Sequence, residues 1–202
     1  MTQPPKPPES GRLQRRKART RAAIVQSATD LFHRNGYEET SIQQIAELAD
    51  TGVGTLYGYF TSKEELLREV LRTRSDAALS SYFAAVDETT GYVDRVITAI
   101  RVLASYIRDN RLVLTAAFQT AARDRHLDEH WAEMLIASFS LLLSTGIERG
   151  EIAALPVETT ARVLIGTCTM AMLGIGVWDN RDVDETLMDI EAITRRLLAA
   201  GV

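Results

Sequence analysis

A chain of 202 residues, 46% hydrophobic and 25% charged with five prolines, is long enough to bury a core as one or two domains, and its composition favours an α-rich globular protein over a disordered one. The single cysteine, Cys168, excludes an internal disulfide and any Cys-based zinc or iron–sulfur site, which fits a reducing cytoplasm. The net charge of −4 is uneven: residues 1–75 hold 12 Lys/Arg against 9 Asp/Glu (+3), and residues 76–202 hold 11 against 18 (−7).

In chain order, residues 1–11 carry four prolines and no periodicity, and read as a disordered tail with no apolar core of a signal peptide. A first helix is predicted from about Arg12. Ile24, Ala28, Leu31 and Phe32 fall on one face, and Asn35-Gly36 closes it with Gly36 free to turn left-handed. Six basic residues, Arg12, Arg15, Arg16, Lys17, Arg19 and Arg21, lie at or before its first turns. Cations there oppose the helix dipole, so the cluster suits contact with a polyanion better than helix stability.

A second helix starts at Thr40 or Ser41, where Ser41 and Gln44, or Thr40 and Gln43, have capping-box spacing. Its inner face is Ile42, Ile45, Ala46 and Ala49. A third covers about Gly52 to Tyr59, with Leu56 and Phe60 turned inward. Ser62 and Glu65 cap a fourth, which buries Leu66, Leu67, Val70 and Leu71 and runs past Tyr82. Further helices are predicted at about 91–109, 112–124, 127–149, 157–178 and 183–199. Their boundaries are the turn residues Thr89-Thr90-Gly91, Asp109-Asn110, Gly150 and Asp179-Asn180, with Pro156 at the first position of its helix and Asp182 or Asp184 capping the last. No alternating strand run, repeat or phosphate-binding glycine loop is present. The fold class is therefore all-α, divided as 1–11 tail, 12–60 head and 61–202 body. The longest apolar run, 163–178, is interrupted by Thr167 and Thr169 and falls short of the roughly 18 residues of a membrane span, so no membrane contact is expected.

Residues 40–63 have helix-turn-helix features. Ala46 is small enough for close packing, Asp50 tolerates the left-handed turn, and Gly52, Val53, Gly54, Thr55, Tyr57 and Gly58 leave little bulk on the second helix. An ordinary corner between two core helices shares the spacing. The longer string FHRNGYEETSIQQIAELAD, followed by GTLYGYFTSKEEL, resembles the N-terminal domain of TetR-family transcriptional repressors over about residues 15–70. That resemblance implies a three-helix DNA-binding domain whose third helix enters the major groove, and a helical C-terminal domain that binds a small-molecule inducer and dimerises. By position it implies phosphate contacts from Thr40 and Lys63, groove or backbone contacts from Thr55 and Tyr57, and a backbone contact from Tyr59. The chain departs from the family at Asp50-Thr51-Gly52-Val53, where Gly-Val-Ser-Lys or similar is usual. Base readout is then expected to rest on Thr51, Thr55, Tyr57 and the basic arm. Arg15, Arg16 and Arg19 are candidates for minor-groove insertion or for phosphate contact alone.

Within the body, Met and aromatic residues suit an apolar or planar inducer, with Phe118, Trp131, Met134 and Met172 as apolar candidates and Tyr106, Gln119, Arg123 and Thr169 as polar ones. Core packing is the competing account for most of them. The last two helices, about 157–178 and 183–199, are the expected homodimer interface, with Gly166, Ala171, Gly174 and Gly176 permitting close approach. His126-Leu127-Asp128-Glu129-His130 matches a zinc-peptidase spacing, which leaves a small metal-dependent hydrolase using His126 and His130 as an alternative, beside a DNA-independent dimeric adaptor. Cys168 reads as an inert buried thiol. No catalytic residues and no cofactor are expected. The favoured reading is a cytoplasmic, homodimeric, ligand-responsive repressor of a palindromic operator, with helix four as the lever between ligand and DNA.

Overall fold

A computed structural model describes residues 10–86, 89–121, 129–178 and 181–199. Among these the chain is all-helical: α1 Ser10–Asn35, α2 Ile42–Leu48, α3 Val53–Tyr57, α4 Lys63–Ala85, α5 Tyr92–Asp109, α6 Arg111–Ala121, α7 Glu129–Glu148, α8 Val157–Leu173 and α9 Val183–Leu198. The only extended pairing among the described residues is a single bridge between Ile152 and Ala199. No described helix is long and apolar enough to cross a membrane. The helices form two compact units, 1–70 and 71–202. Their boundary falls inside α4, later than the 60/61 division expected from sequence.

In the first unit α1 packs on α2 and α2 on α3. The buried residues are those that helical spacing selects: Ile24, Ala28 and Phe32 of α1, Ile45 and Ala46 of α2, Leu56 of α3 and Leu66, Leu67 and Val70 of α4. Each large aliphatic side chain withdrawn from water contributes ~1.5–3 kcal/mol before entropy is counted. Gly36, at φ +85°, ends α1 by donating its N–H to Phe32 O at 3.1 Å.

In the second unit α5 is the central helix. It contacts α7, α8 and α9, and buries Val96, Ile97, Ile100, Leu103 and Ile107. Two sequence expectations are corrected here. α8 stops at Leu173, not near 178, because Gly174 and Gly176 both adopt left-handed φ, +67° and +68°, and a single 3₁₀ turn, Gly176–Trp178, follows. Those glycines break the helix rather than lining it. Pro156 is the N-cap of α8, not its first helical residue. The buried face of α9 is Thr186, Ile190, Thr194 and Leu198, whereas Ile193 and Leu197 face outward. Threonine is admitted to that core because each hydroxyl is satisfied one turn back: Thr186 donates to Asp182 O at 2.6 Å and Thr194 to Ile190 O at 2.7 Å. Asp182 is the cap of α9, accepting the Glu185 N–H at 2.8 Å.

Cys168 is buried, donates to Ile100 O at 3.9 Å, and has its pKa pushed up to about 12 by desolvation, as an inert thiol should. Among the described glycines the closest approach is at Gly146 of α7, where a Cβ would lie 2.5 Å from Ile152 Cδ1 and 2.9 Å from Tyr92 Cβ. Tyr92 is itself held between Arg95 and Arg149, 4.8 and 5.2 Å from its ring. Gly146→Val is therefore expected to lose about 1–3 kcal/mol through overpacking, read as a lower urea midpoint with an unchanged slope.

Candidate nucleic-acid interface and ligand pocket

The start of α2 is fixed by a complete capping box. The Gln44 N–H donates to Ser41 Oγ at 3.2 Å, and the Ser41 N–H to Gln44 Oε1 at 2.8 Å. Thr40 takes a different role from the expected phosphate contact. It is 1% exposed, and its hydroxyl donates to Gly36 O at 2.7 Å and faces Leu31 O at 3.3 Å. A side chain committed to closing the α1–α2 turn has no hydroxyl to offer a phosphate, so Thr40 is corrected to a structural residue. Lys63 stays near the surface. Its ammonium lies 4.2 Å over the Tyr37 ring and donates to Glu38 O at 3.3 Å, and desolvation lowers its pKa against the pull of Glu38, Glu64 and Glu39.

The turn between α2 and α3 rests on Asp50, whose φ of +49° is the only positive value of a non-glycine among the described residues. The Thr51 N–H reaches back to Ala46 O at 3.0 Å and the Asp50 N–H to Glu47 O at 3.1 Å, so the left-handed residue satisfies the C-terminus of α2. α3 is shorter than expected, with Gly52 as N-cap and Gly58 as C-cap. It buries Leu56 and exposes Gly52, Gly54, Thr55 and Tyr57, while Val53 is half-buried. A Cβ at Gly54 would meet nothing within 4 Å, so this face is open to close approach by a partner.

The basic arm is ordered as the first turns of α1. Arg12, Arg15, Arg16, Lys17 and Arg19 are all exposed, whereas Arg21 is drawn inward to Glu69 at 2.6 Å and lies 5.0 Å over the Phe60 ring. A groove of about 570 Å³ runs between this arm and the recognition turn, and Arg16, Lys17 and Arg19 face Thr51, Thr55 and Tyr59 across it. Among the described residues Asp50 is the one acid on its wall. The helical form of the arm bears on how it would meet DNA. An α-helix is roughly 10 Å across and the minor groove of B-DNA roughly 6 Å wide, so the helical arm itself is too wide to lie in that groove.

In the second unit, Tyr106 and Met134 line one apolar slot between α4, α5 and α7. Thr169 and Met172 are buried in α8 and line neither this slot nor the neighbouring groove. Arg123 and His126 lie outside the described residues, as do the side chains of Phe118, Gln119, His130 and Trp131. Sequence reasoning missed Ser75, Leu79, Tyr82 and Leu103, which share the slot. Ser75 and Tyr106 are linked through their hydroxyls at 3.1 Å, and each reaches the Leu71 carbonyl, at 2.9 and 3.4 Å.

At the start of α4 the capping pair is split over two residues. Ser62 Oγ accepts the Glu65 N–H at 3.1 Å, while Glu65 Oε2 accepts both the Thr61 N–H at 2.6 Å and its hydroxyl at 2.7 Å. The Thr61 hydroxyl first, and its amide second, hold the Glu65 carboxyl below its ordinary pKa of 4.5. A depressed folded pKa stabilises above the unfolded value, and that contribution is lost as pH falls through the folded one. Glu65→Gln should lower the melting midpoint at neutral pH by no more than ~1 kcal/mol equivalent, the scale of an exposed cap. The difference from the parent chain should close on acidification below pH 4.5, followed by circular dichroism.

Residues 24–70 match the family model described as bacterial regulatory proteins, tetR family. Over 157 residues the chain is 26% identical to the HTH-type transcriptional regulator YfiR of Bacillus subtilis, covering 74% of this chain and 76% of that one. It is 22% identical over 184 residues to the fatty acid metabolism regulator protein of Bacillus subtilis, covering 89% and 93%. The crystal structure of a Mesorhizobium loti protein assigned to the TetR-family regulators superposes with a TM-score of 0.69 at 25% identity, covering 90% of this chain and 96% of that one. Residues 24–70 are thus identified as the helix-turn-helix domain of the tetR family of bacterial regulatory proteins, followed in the chain by a second all-helical unit.

Proposed function

We propose that the protein is a homodimeric repressor that binds a palindromic operator and is released when a small molecule occupies its helical body. The observation that carries this reading is the groove in which Arg16, Lys17 and Arg19 of α1 face Thr51, Thr55 and Tyr59. Cations on one wall and hydroxyls on the other form a surface for a phosphate backbone beside an α3 that is nearly bare of bulk. Thr51, Gly52, Val53, Gly54, Thr55 and Tyr57 face the major groove, Tyr59 and Lys63 the flanking backbone, and Arg15, Arg16 and Arg19 more distant phosphates.

A dimer is supported by the apolar side chains that α8 and α9 leave exposed: Val163, Met188, Ile193 and Leu197, with Met188 at 64% and Ile193 at 66%. Gly166, where an added Cβ would meet open space, lies on α8 among them. Such a surface paired about a two-fold axis sets two heads at a fixed spacing, and an operator with matching symmetry follows. α4 runs unbroken from the first unit into the second, so a ligand that favours a different course of α4 shifts the population of DNA-competent dimers.

The reading is tested by duplex binding across a salt series with Tyr57→Ala and Lys63→Ala. Both variants should lose operator binding and keep the parent's dimeric mass in light scattering; loss of the dimer would overturn this assignment of roles. Arg16→Ala and Arg19→Ala should each flatten the slope of log affinity against log salt by about 0.9 per protomer, with little change in sequence preference. Asp50→Asn keeps the left-handed turn and removes the groove's acid, and should tighten duplex binding about two- to fivefold, the size of one surface charge interaction of ~0.5–1 kcal/mol.

A further inference from the structure

The recognition helix is defined by what it lacks. From Thr51 to Phe60 the chain has no Arg, Lys, Asn, Gln, Asp or Glu, the side chains that read guanine, adenine or cytosine in the major groove. Its polar side chains are the single hydroxyls of Thr51, Thr55, Tyr57 and Tyr59, and a hydroxyl cannot present the two-pronged pattern that a purine edge matches. The basic side chains lie on α1, across the groove from Thr55. Gln43 and Gln44 lie on α2, the helix that crosses the backbone in this motif, and Gln44 Oε1 is taken by the Ser41 N–H at 2.8 Å.

The shape of α3 is equally particular. Leu56, fully buried, fixes its inward side. At 3.6 residues per turn, Thr55 and Tyr57 stand about 100° to either side of Leu56, and Gly54 and Gly58 about 160°. Gly58 continues the helical course at φ −72° and ψ −16°. The outward side is therefore a strip of glycine backbone, with Thr55 along one edge and Tyr57 along the other. Both flanking side chains are exposed, and a Cβ at Gly54 would meet open space.

We propose that this element reads thymine by its C5-methyl group, received on the glycine strip beside the Thr55 methyl, and that Thr55 is the specificity-determining side chain. This rests on the reading of the head as DNA-binding and names the base it selects. The ground is an asymmetry of burial. A purine edge or a cytosine amino group pressed on a strip without side-chain donors or acceptors gives up water and finds no replacement. The thymine methyl is the one apolar group a base pair displays in the major groove, and its burial is favourable. Glycine at 54 lets the backbone come within contact distance of it. The methyl of a threonine is among the apolar partners that groove geometry gives to thymine.

The test begins with the full chain selecting duplexes from a pool whose randomised core is long enough for two half-sites one helical turn apart. The enriched half-sites should carry T·A pairs at their core. Replacing a contacted thymine by deoxyuridine, which lacks only the methyl, should weaken binding about fourfold, the worth of one buried methyl group. With the pair changed to C·G, 5-methylcytosine should bind more tightly than cytosine by a similar factor. Thr55→Ser keeps the hydroxyl and removes the methyl. It should lose about fourfold on the thymine duplex and nothing further on the deoxyuridine duplex. Enriched cores of G·C pairs, or deoxyuridine duplexes bound as tightly as the thymine ones at every position, would overturn the proposal. Both results are read on the parent chain, whatever the variant's stability. Duplex binding without methyl dependence strikes this inference alone, whereas a chain that enriches no duplex strikes the regulator reading and this inference with it.

Discussion

The DNA-binding half of this molecule depends on one residue held where most residues resist going. Asp50 sits at φ +49°, a conformation that costs an L-residue roughly 1–2 kcal/mol and that Asp tolerates better than most. In return the chain reverses within one residue, the last carbonyls of α2 find the amides of Asp50 and Thr51, and α3 can lie against the buried Ala46. A longer turn would separate α3 from α1, and the groove between the arm and Thr55 would have no second wall. The same residue places a carboxylate beside a surface otherwise suited to a polyanion. Backbone geometry and electrostatics therefore pull in opposite directions at Asp50, and the fold has kept the geometry.

The second unit shows a related division. α5 is buried along most of its length, and α8 and α9 pack on it, α9 through Thr186 and Thr194, whose hydroxyls are satisfied within their own helix. α4 beyond Leu71 is different. Apart from Ser75 its residues are exposed or half-buried, and Phe83 and Leu79 face water. The spaces next to it are the slot and the groove. A helix with few buried side chains has little packing energy to hold one position, so it is the element of this unit that a ligand can move most cheaply.

Much of this was legible in the sequence, for reasons that are local. The Ser41–Gln44 box, the left-handed Gly36, the cap at Asp182 and the turn at Asp50 each follow from a residue type at a fixed offset from a helix end. The failures have a common cause in longer-range structure. Nothing in the residue types around Thr40 says that two carbonyls of the preceding turn will take its hydroxyl. Gly174 and Gly176 read equally well as small packing residues or as helix breakers until their φ values are known. Thr169 and Met172 were grouped with Tyr106 and Met134 by chemistry, but which side of α8 faces a cavity is decided by the helices around it. The split of α9 into a threonine-bearing inner face and an apolar outer one was hidden because the pattern contained two stripes, and periodicity alone does not say which one faces inward.

The helical arm has one more consequence. Between Ser10 and Arg21 there is no acidic residue, and Arg12 with Arg16, Arg15 with Arg19 and Lys17 with Arg21 are like charges one turn apart on α1. Each such pair opposes the helix by ~0.2–0.5 kcal/mol, and their position at its N-terminus adds to the strain. The arm is in effect a salt missing its anion: its helix carries a standing repulsion that a row of phosphates would relieve along its length.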